Sequence, residues 1–238
     1  MGKRIIQQAR GRGGPRYLAK RKAYNKRIEY PNKEGVAKVI KLIGTAGHTA
    51  PLAKLQIDDV AFYIPAFKNM SEGYEIKIGK IEGEPKEGDI ARLGELGIGE
   101  RIYNIEVRPG DGGKLIRAAG SYGIITKKER ARISVMMPSK KEKWFDRNCR
   151  ATKGIIAGHG RLEKPYFKAG KKYYEMKAKG KLWPRTSALK MNVIDHPFGS
   201  GRGKNISHGQ KGKIPKRNAP PGARVGTLRP SRTGRRKK

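Results

Sequence analysis

Apolar and polar residues alternate with a period of two over several short stretches of this chain. Ala53, Leu55 and Ile57 are separated by Lys54 and Gln56, and Val60, Phe62 and Ile64 by Ala61 and Tyr63. Between these runs stands Asp58-Asp59, so the pattern predicts two half-buried strands joined by a tight hairpin. Tyr74, Ile76 and Ile78 repeat the period around Glu75 and Lys77. Val36–Ile43 predicts a further strand with a less regular pattern. Four or five short strands so close together imply a small β-barrel. The charged, Gly- and Pro-containing stretch Glu82–Asp89 predicts a boundary.

A second group of strands follows. Tyr103, Ile105 and Val107 alternate with Asn104 and Glu106. Leu115–Ala119, Ile124–Thr126 and Ile133–Met137 are further candidates, with Ile133, Val135 and Met137 facing inward and Arg132, Ser134 and Met136 outward. Pro138-Ser139 predicts a turn, and Trp144 a short return strand. Together these predict a second small barrel. Strand periodicity stops after Gly158. The expected division is a basic N-terminal extension at 1–32, one β domain at 33–85, another at 86–160, and a basic C-terminal extension at 161–238.

Charge then narrows the function. The 238 residues hold 56 Lys+Arg against 20 Asp+Glu, a formal net charge of +36. A globular protein so charged repels itself unless a polyanion neutralises it. Residues 1–28 contain no acid, and Asp195 is the only acid after Glu175. The first 28 residues mix Arg, Lys and Gly with Tyr17 and Tyr24, as expected of an arm that orders along phosphates. Residues 164–190 interleave Lys with Tyr166, Phe167, Tyr173, Tyr174 and Trp183. Residues 205–238 are too poor in apolar side chains to fold alone. No apolar run spans a bilayer and no amphipathic face accompanies the basic runs, so a membrane partner is not expected. No secretory signal is visible. Cys149 is the sole cysteine, which fits a reducing cytosol and a buried small hydrophobe.

Candidate chemistry is sparse. Asp195-His196 pairs a carboxylate with an imidazole, but neighbours in extended chain point apart, and a triad needs convergence and a nucleophile. No catalytic residue is therefore assigned. Cys149 and the scattered His48, His159, His196 and His208 lack metal-ligand spacing, so neither metal nor cofactor is expected. GTAG (44–47) and GDGG (110–113) are too short for a nucleotide loop, which leaves no small-molecule substrate and suggests backbone approach to phosphates. His48 reads as an ordinary loop histidine. No helix-turn-helix, zinc finger or basic zipper is visible, so structured RNA is favoured over DNA. The rivals are an enzyme using His196 and a DNA-packaging protein.

The segment Lys190–Lys204, KMNVIDHPFGSGRGK, sharpens this reading. Pro197 excludes a helix there and pushes His196 towards extended geometry. Gly199, Gly201 and Gly203 allow tight turns or close approach, and Arg202 and Lys204 add charge. MNVIDHPFGSGRGK (191–204) is similar to the Met-Asn-x-x-Asp/Glu-His-Pro-x-Gly-Gly-Gly run of the universal large-subunit ribosomal protein L-two family. RPGDGGKLIRAAG (108–120), CRATKG (149–154) and RNAPPGARVG (217–226) resemble it as well. Phe198 resembles the archaeal and eukaryotic branch, whereas Ser200 departs from the middle glycine.

The resemblance implies a mainly β protein, with an OB-fold barrel followed by an SH3-like barrel and long basic N- and C-terminal extensions. It implies large-subunit rRNA as primary partner, small-subunit rRNA at the subunit interface, and neighbouring ribosomal proteins. It also implies support of the peptidyl-transferase region, tRNA binding and subunit association, in the cytoplasmic ribosome. His196 matches a histidine proposed as important near the peptidyl-transferase centre, and its expected role is structural. Charge, glycine context and the matched motifs give the expected rRNA contacts. In the N-terminal arm these are Lys3, Arg4, Arg10, Arg12 and Arg16. In the β body they are Arg108, Lys114, Arg117 and Arg150. Towards the C-terminus they are Lys179, Arg185, Asp195, His196, Arg202, Lys204, Arg217, Asn218 and Arg224.

Overall fold

The structure is a computed structural model and describes residues 2–81, 83–199, 218 and 220. Within it the chain divides into two compact units, residues 20–178 and residues 1–19 with 179–238.

The larger unit is mainly β. Its strands are β1 (Gly35–Ile43), β2 (Leu52–Ile57), β3 (Val60–Pro65), β4 (Glu75–Ile78), β5 (Ile90–Arg92), β6 (Arg101–Tyr103), β7 (Gly123–Lys128), β8 (Arg132–Met136), β9 (Glu142–Asp146) and β10 (Arg150–Lys153). They form one continuous sheet in the order β3-β2-β1-β4-β5-β10-β6-β7-β8-β9. All neighbouring pairs are antiparallel except β4 and β5, which meet in parallel at Ile78 and Ile90.

The period-two runs at 53–57, 60–64 and 74–78 behave as expected. Ile57 pairs with Val60, so Asp58-Asp59 is the two-residue hairpin loop. Asp58 has φ +48°, a left-handed geometry that short polar side chains tolerate. The irregular pattern of β1 also has a cause. The register of β1 against β2 shifts between Val39 and Lys41, and a bulge re-aims the side chains around it. Ala37 and Val39 are buried, while Val36 and Ile40 remain exposed.

Three expectations need correction. The Tyr103–Val107 alternation is not a strand, because β6 ends at Tyr103. Asn104 turns left-handed at φ +49°, and Ile105 keeps only an isolated bridge to Leu115. Leu115–Ala119 is not a strand either, since Ile116 has φ +55° and breaks the extended chain. Ser134 does not face outward. It is fully buried beside Ile133 and Val135, and it shares a 3.1 Å hydrogen bond with Thr126 at the β7–β8 register shift. The strands β5 and β10 have three and four residues, too short for alternation to reveal.

Two buried clusters hold the unit together. Leu55, Phe62, Ile64, Ile76 and Tyr103 belong to the first, and Leu93, Leu96, Ile105, Val135 and Phe145 to the second. Tyr30, in the stretch expected to be an extension, is buried in the first cluster. Its hydroxyl donates to the Asn104 carbonyl at 2.7 Å and lies 2.7 Å from Thr152 Oγ1. Beyond the sheet, α2 (Ala169–Ala178) is a helix that the sequence pattern did not predict. In the smaller unit the described elements include the short helix α1 (Ile6–Gly11).

Leu55→Ala should lower the unfolding free energy by about 2–5 kcal/mol, the usual cost of emptying a core leucine site. Ile98→Ala, at an exposed position, should change it by no more than about 0.5 kcal/mol. Chemical denaturation of both variants checks the contrast.

Candidate nucleic-acid interface

The loop after β6 is built around one buried acid. The Glu106 carboxylate accepts hydrogen bonds from the backbone N–H groups of Gly110 at 3.3 Å, Gly112 at 3.1 Å and Arg150 at 2.8 Å. It also accepts from the Arg150 guanidinium, at 3.1 Å from Nε and 2.8 Å from Nη2. The Glu106 side chain is 0% exposed and that of Arg150 13%. A carboxylate so deep is tolerable only when its lone pairs are filled in this way. Arg150 Nη1 donates to the Pro31 carbonyl at 2.6 Å, and the guanidinium lies 5.3 Å from the Tyr30 ring centroid. Arg150 is thus engaged on every side by its own chain.

The loop itself, RPGDGGK, closes on a second acid. Asp111 accepts from the backbone N–H groups of Val107, Arg108 and Gly113. Burial pushes its pKa upward, but those N–H groups and the Lys114 charge outweigh it and hold the carboxyl below its usual range. Gly113 has φ +77°, and a Cβ there would run into the Asn104 carbonyl. That glycine is therefore required by approach to the chain's own backbone. The outcome is a rigid base on which Arg108 and Lys114 are both exposed, the Lys114 ammonium standing 3.4 Å from Asp111. Arg117 differs from them. Its guanidinium donates to Asn104 Oδ1 at 2.9 Å and to the Ile28 carbonyl at 3.1 Å. Burial lowers its pKa, with the Tyr30, Asp111 and Glu29 groups opposing the shift.

The smaller unit gathers the other candidates. Lys3 and Asp195 are tied twice. The Lys3 backbone N–H donates to the Ile194 carbonyl at 2.8 Å, and its ammonium stands 3.4 Å from Asp195. Asp195 and His196 follow a turn, with both backbone N–H groups donating to the Asn192 carbonyl at 3.0 and 3.3 Å. His196 Nδ1 accepts the Phe198 backbone N–H at 3.1 Å. Nδ1 is thereby the unprotonated nitrogen, and burial lowers the pKa of the ring. Gly199 packs so tightly on the Asn192 backbone that a Cβ would collide with it. Arg10, Arg185 and His196 line one cleft of about 230 Å³, together with apolar Ile6, Leu182 and Met191.

Arg4, Arg12, Arg16 and Asn218 are exposed, and Lys179 is half-buried. Arg202, Lys204, Arg217 and Arg224 lie outside the described residues. Tyr30 and Glu106 are the organising residues that sequence reasoning missed. Glu106 carried a signal in retrospect, as a single acid within an apolar run and just before a basic glycine loop. Tyr30 carried none, standing next to a tail of like charge.

His48 sits in a loop, 2.8 Å from Thr45 Oγ1, with its ring edge against Tyr24. Burial, then the Arg117 charge, lowers its pKa. Cys149 is buried, and burial pushes its thiol up to about 11, so it is a poor nucleophile at neutral pH. Among the described residues, no group of three or more His, Cys, Asp or Glu is placed to hold a metal. No helix among them is long and apolar enough to cross a membrane.

Two measurements test this description. Glu106→Gln should cost about 3–5 kcal/mol of stability, because it removes one charge of a buried pair. Arg108→Gln should stay within about 0.5 kcal/mol. An NMR titration of His196 should find its midpoint below 6.5. With that sign the unfolded chain takes the proton first. The turn's stability is therefore fully present above 6.5 and falls as pH drops through the folded value.

Comparison with known proteins matches this chain along its length. The family described as Ribosomal Proteins L2, C-terminal domain, matches residues 86–217. The large ribosomal subunit protein uL2 of Archaeoglobus fulgidus is 42% identical over 241 residues, covering 100% of both chains. The protein of the same name from Hyperthermus butylicus is 42% identical, again over 100% of both. That of Methanococcoides burtonii is 40% identical, over 99% of this chain and 100% of its own. Both the acid-anchored glycine loop and the Asp195-His196 turn fall within the matched stretch, and the chain belongs to the ribosomal protein L2 family.

Proposed function

We propose that this chain is a structural, rRNA-binding constituent of the large ribosomal subunit. The observation that carries the reading is a net charge of +36 on a member of this family. Much of that charge is displayed rather than paired. Arg4, Arg12, Arg16, Arg108 and Arg185 are all exposed, whereas Lys114, also exposed, is paired with Asp111 at 3.4 Å. Phosphates of large-subunit rRNA are the natural counterions. Arg150 and Arg117 serve differently, by fixing the loop that presents Arg108 and Lys114.

The finer reading follows the family resemblance. Residues 33–85 act as an OB-fold RNA-binding domain and residues 86–160 as an SH3-like barrel. Residues 1–32 and 161–238 act as basic extensions into the rRNA. In this reading the chain supports the peptidyl-transferase region, tRNA binding and subunit association. It meets small-subunit rRNA at the subunit interface and neighbouring ribosomal proteins, within the cytoplasmic ribosome. RNA carries out the chemistry, and the chain is a structural component rather than an enzyme. The engaged Nδ1 of His196 supports a positioning role.

Binding that neutralises about six to ten phosphates loses roughly 10³–10⁵ in affinity between about 50 and 200 mM salt, by analogy with duplex DNA. A salt titration of the full chain on large-subunit rRNA should show that steep fall, and a flat response would contradict the reading. His196→Gln keeps a polar side chain of hydrogen-bonding capacity but loses the titratable nitrogen. Fully assembled subunits carrying it should therefore keep most of their peptidyl-transfer rate. His196→Ala should assemble less well. Loss of roughly 10²–10⁴ in rate by His196→Gln, with the surrounding rRNA unchanged to chemical probing, would restore a general acid–base role.

A further inference from the structure

Helix α2 is an element without a core. None of its residues from Ala169 to Ala178 is buried, and an isolated helix of this length is marginal in water. Packing on a partner is what would hold it. Several large aromatic rings are exposed in and just before it. Phe167, just before the helix, is 79% exposed, and Tyr174 is 67% exposed. Tyr166 and Tyr173 are exposed beside them. A cluster of this kind marks an interaction site rather than scattered surface residues.

Charge identifies the occupant. Lys164, Lys168, Lys171 and Lys177, in the same stretch of chain, are all exposed. The acid of the helix, Glu175, accepts a hydrogen bond from the Tyr166 hydroxyl. Lys172 lies 5.7 Å from the Tyr166 ring centroid and Lys177 5.8 Å from that of Tyr173. An apolar protein partner would desolvate these ammonium groups without pairing them. A paired RNA helix hides the faces of its bases in its own stack. Unpaired bases offer flat faces for the rings and phosphates for the lysines.

We propose that the Phe167–Tyr174 surface is a stacking platform for unpaired rRNA bases, with lysines at its margin holding the adjoining phosphates. The inference rests on the rRNA-binding reading and assigns a new contact within it. Tyr166, held by Glu175, is a positioning residue beside the platform.

The test uses the full chain, a transcript of the large-subunit rRNA, and dissociation constants measured across a salt series. Phe167→Ala should raise Kd roughly 5- to 150-fold, the usual range for one stacked base. The salt slope should not change, because no charge is lost. Phe167 precedes α2, so its removal leaves the helix sequence intact. Phe167→Leu, apolar but without a ring, should behave like Phe167→Ala. Tyr174→Ala should weaken binding similarly, and Tyr174→Phe should bind as the wild type does. Lys168→Gln should instead lower the salt slope, by about 0.7. Base-specific chemical probing should show a few unpaired bases losing protection in Phe167→Ala and Tyr174→Ala. Failure of the wild-type chain to bind rRNA at all would overturn the functional reading and this inference together. Wild-type binding left unchanged by Phe167→Ala and Tyr174→Ala would overturn the platform alone. So would full affinity in Phe167→Leu, or loss of a protein contact with rRNA binding intact.

Discussion

The Glu106–Arg150 pair is the interaction on which the larger unit turns. It connects β10, at the middle of the sheet, to the loop that follows β6, and through Pro31 and Tyr30 to the chain before β1. Each of these segments has weak grounds to pack by itself. Strand β10 has four residues, the loop is mostly glycine and charge, and the N-terminal stretch is basic. One carboxylate with its lone pairs filled gives all three a common origin. A protein with this excess of positive charge has few acids to place, and it places one where three segments meet.

The same economy explains how the basic residues divide. Some cations are structural and some are displayed, and residue type does not separate them. Arg150 and Arg108 belong to similar Gly-containing motifs, yet one is enclosed by hydrogen bonds and the other is exposed. An acid within reach makes the difference. Arg150 has Glu106, while Arg108 contributes its backbone N–H, and not its guanidinium, to Asp111. The Arg108 guanidinium is thus left exposed, while the Lys114 ammonium stands 3.4 Å from Asp111.

The strands flanking Asp58-Asp59, and those of Tyr74–Ile78 and Ile133–Met137, were legible because each has one buried face and period-two burial leaves a trace. The extended readings at Tyr103–Val107 and Leu115–Ala119 failed for a reason that periodicity does not carry. Asn104 and Ile116 adopt left-handed backbone that long-range contacts impose. Ser134 was misplaced because alternation does not reveal what covers a face, and here Thr126 and Glu142 from the neighbouring strands reach its hydroxyl. Helix α2 was invisible because it has no buried stripe to create a 3.6-residue pattern. For the candidate site, motif and charge singled out Arg108, Lys114 and the Asp195-His196 turn. They did not find Tyr30 or Glu106, whose roles exist only once distant segments meet.

The burial of Cys149 has a practical consequence. It is the only thiol in the chain, it belongs to the second core cluster, and its raised pKa keeps it protonated at neutral pH. Alkylating reagents attack thiolate, so labelling must wait for that core to open. The rate of modification of this one sulfur, read by intact mass, becomes a clock for local unfolding around β10. It needs no engineered probe, and it can report on the protein free or within a particle where spectroscopy of the chain is obscured by RNA.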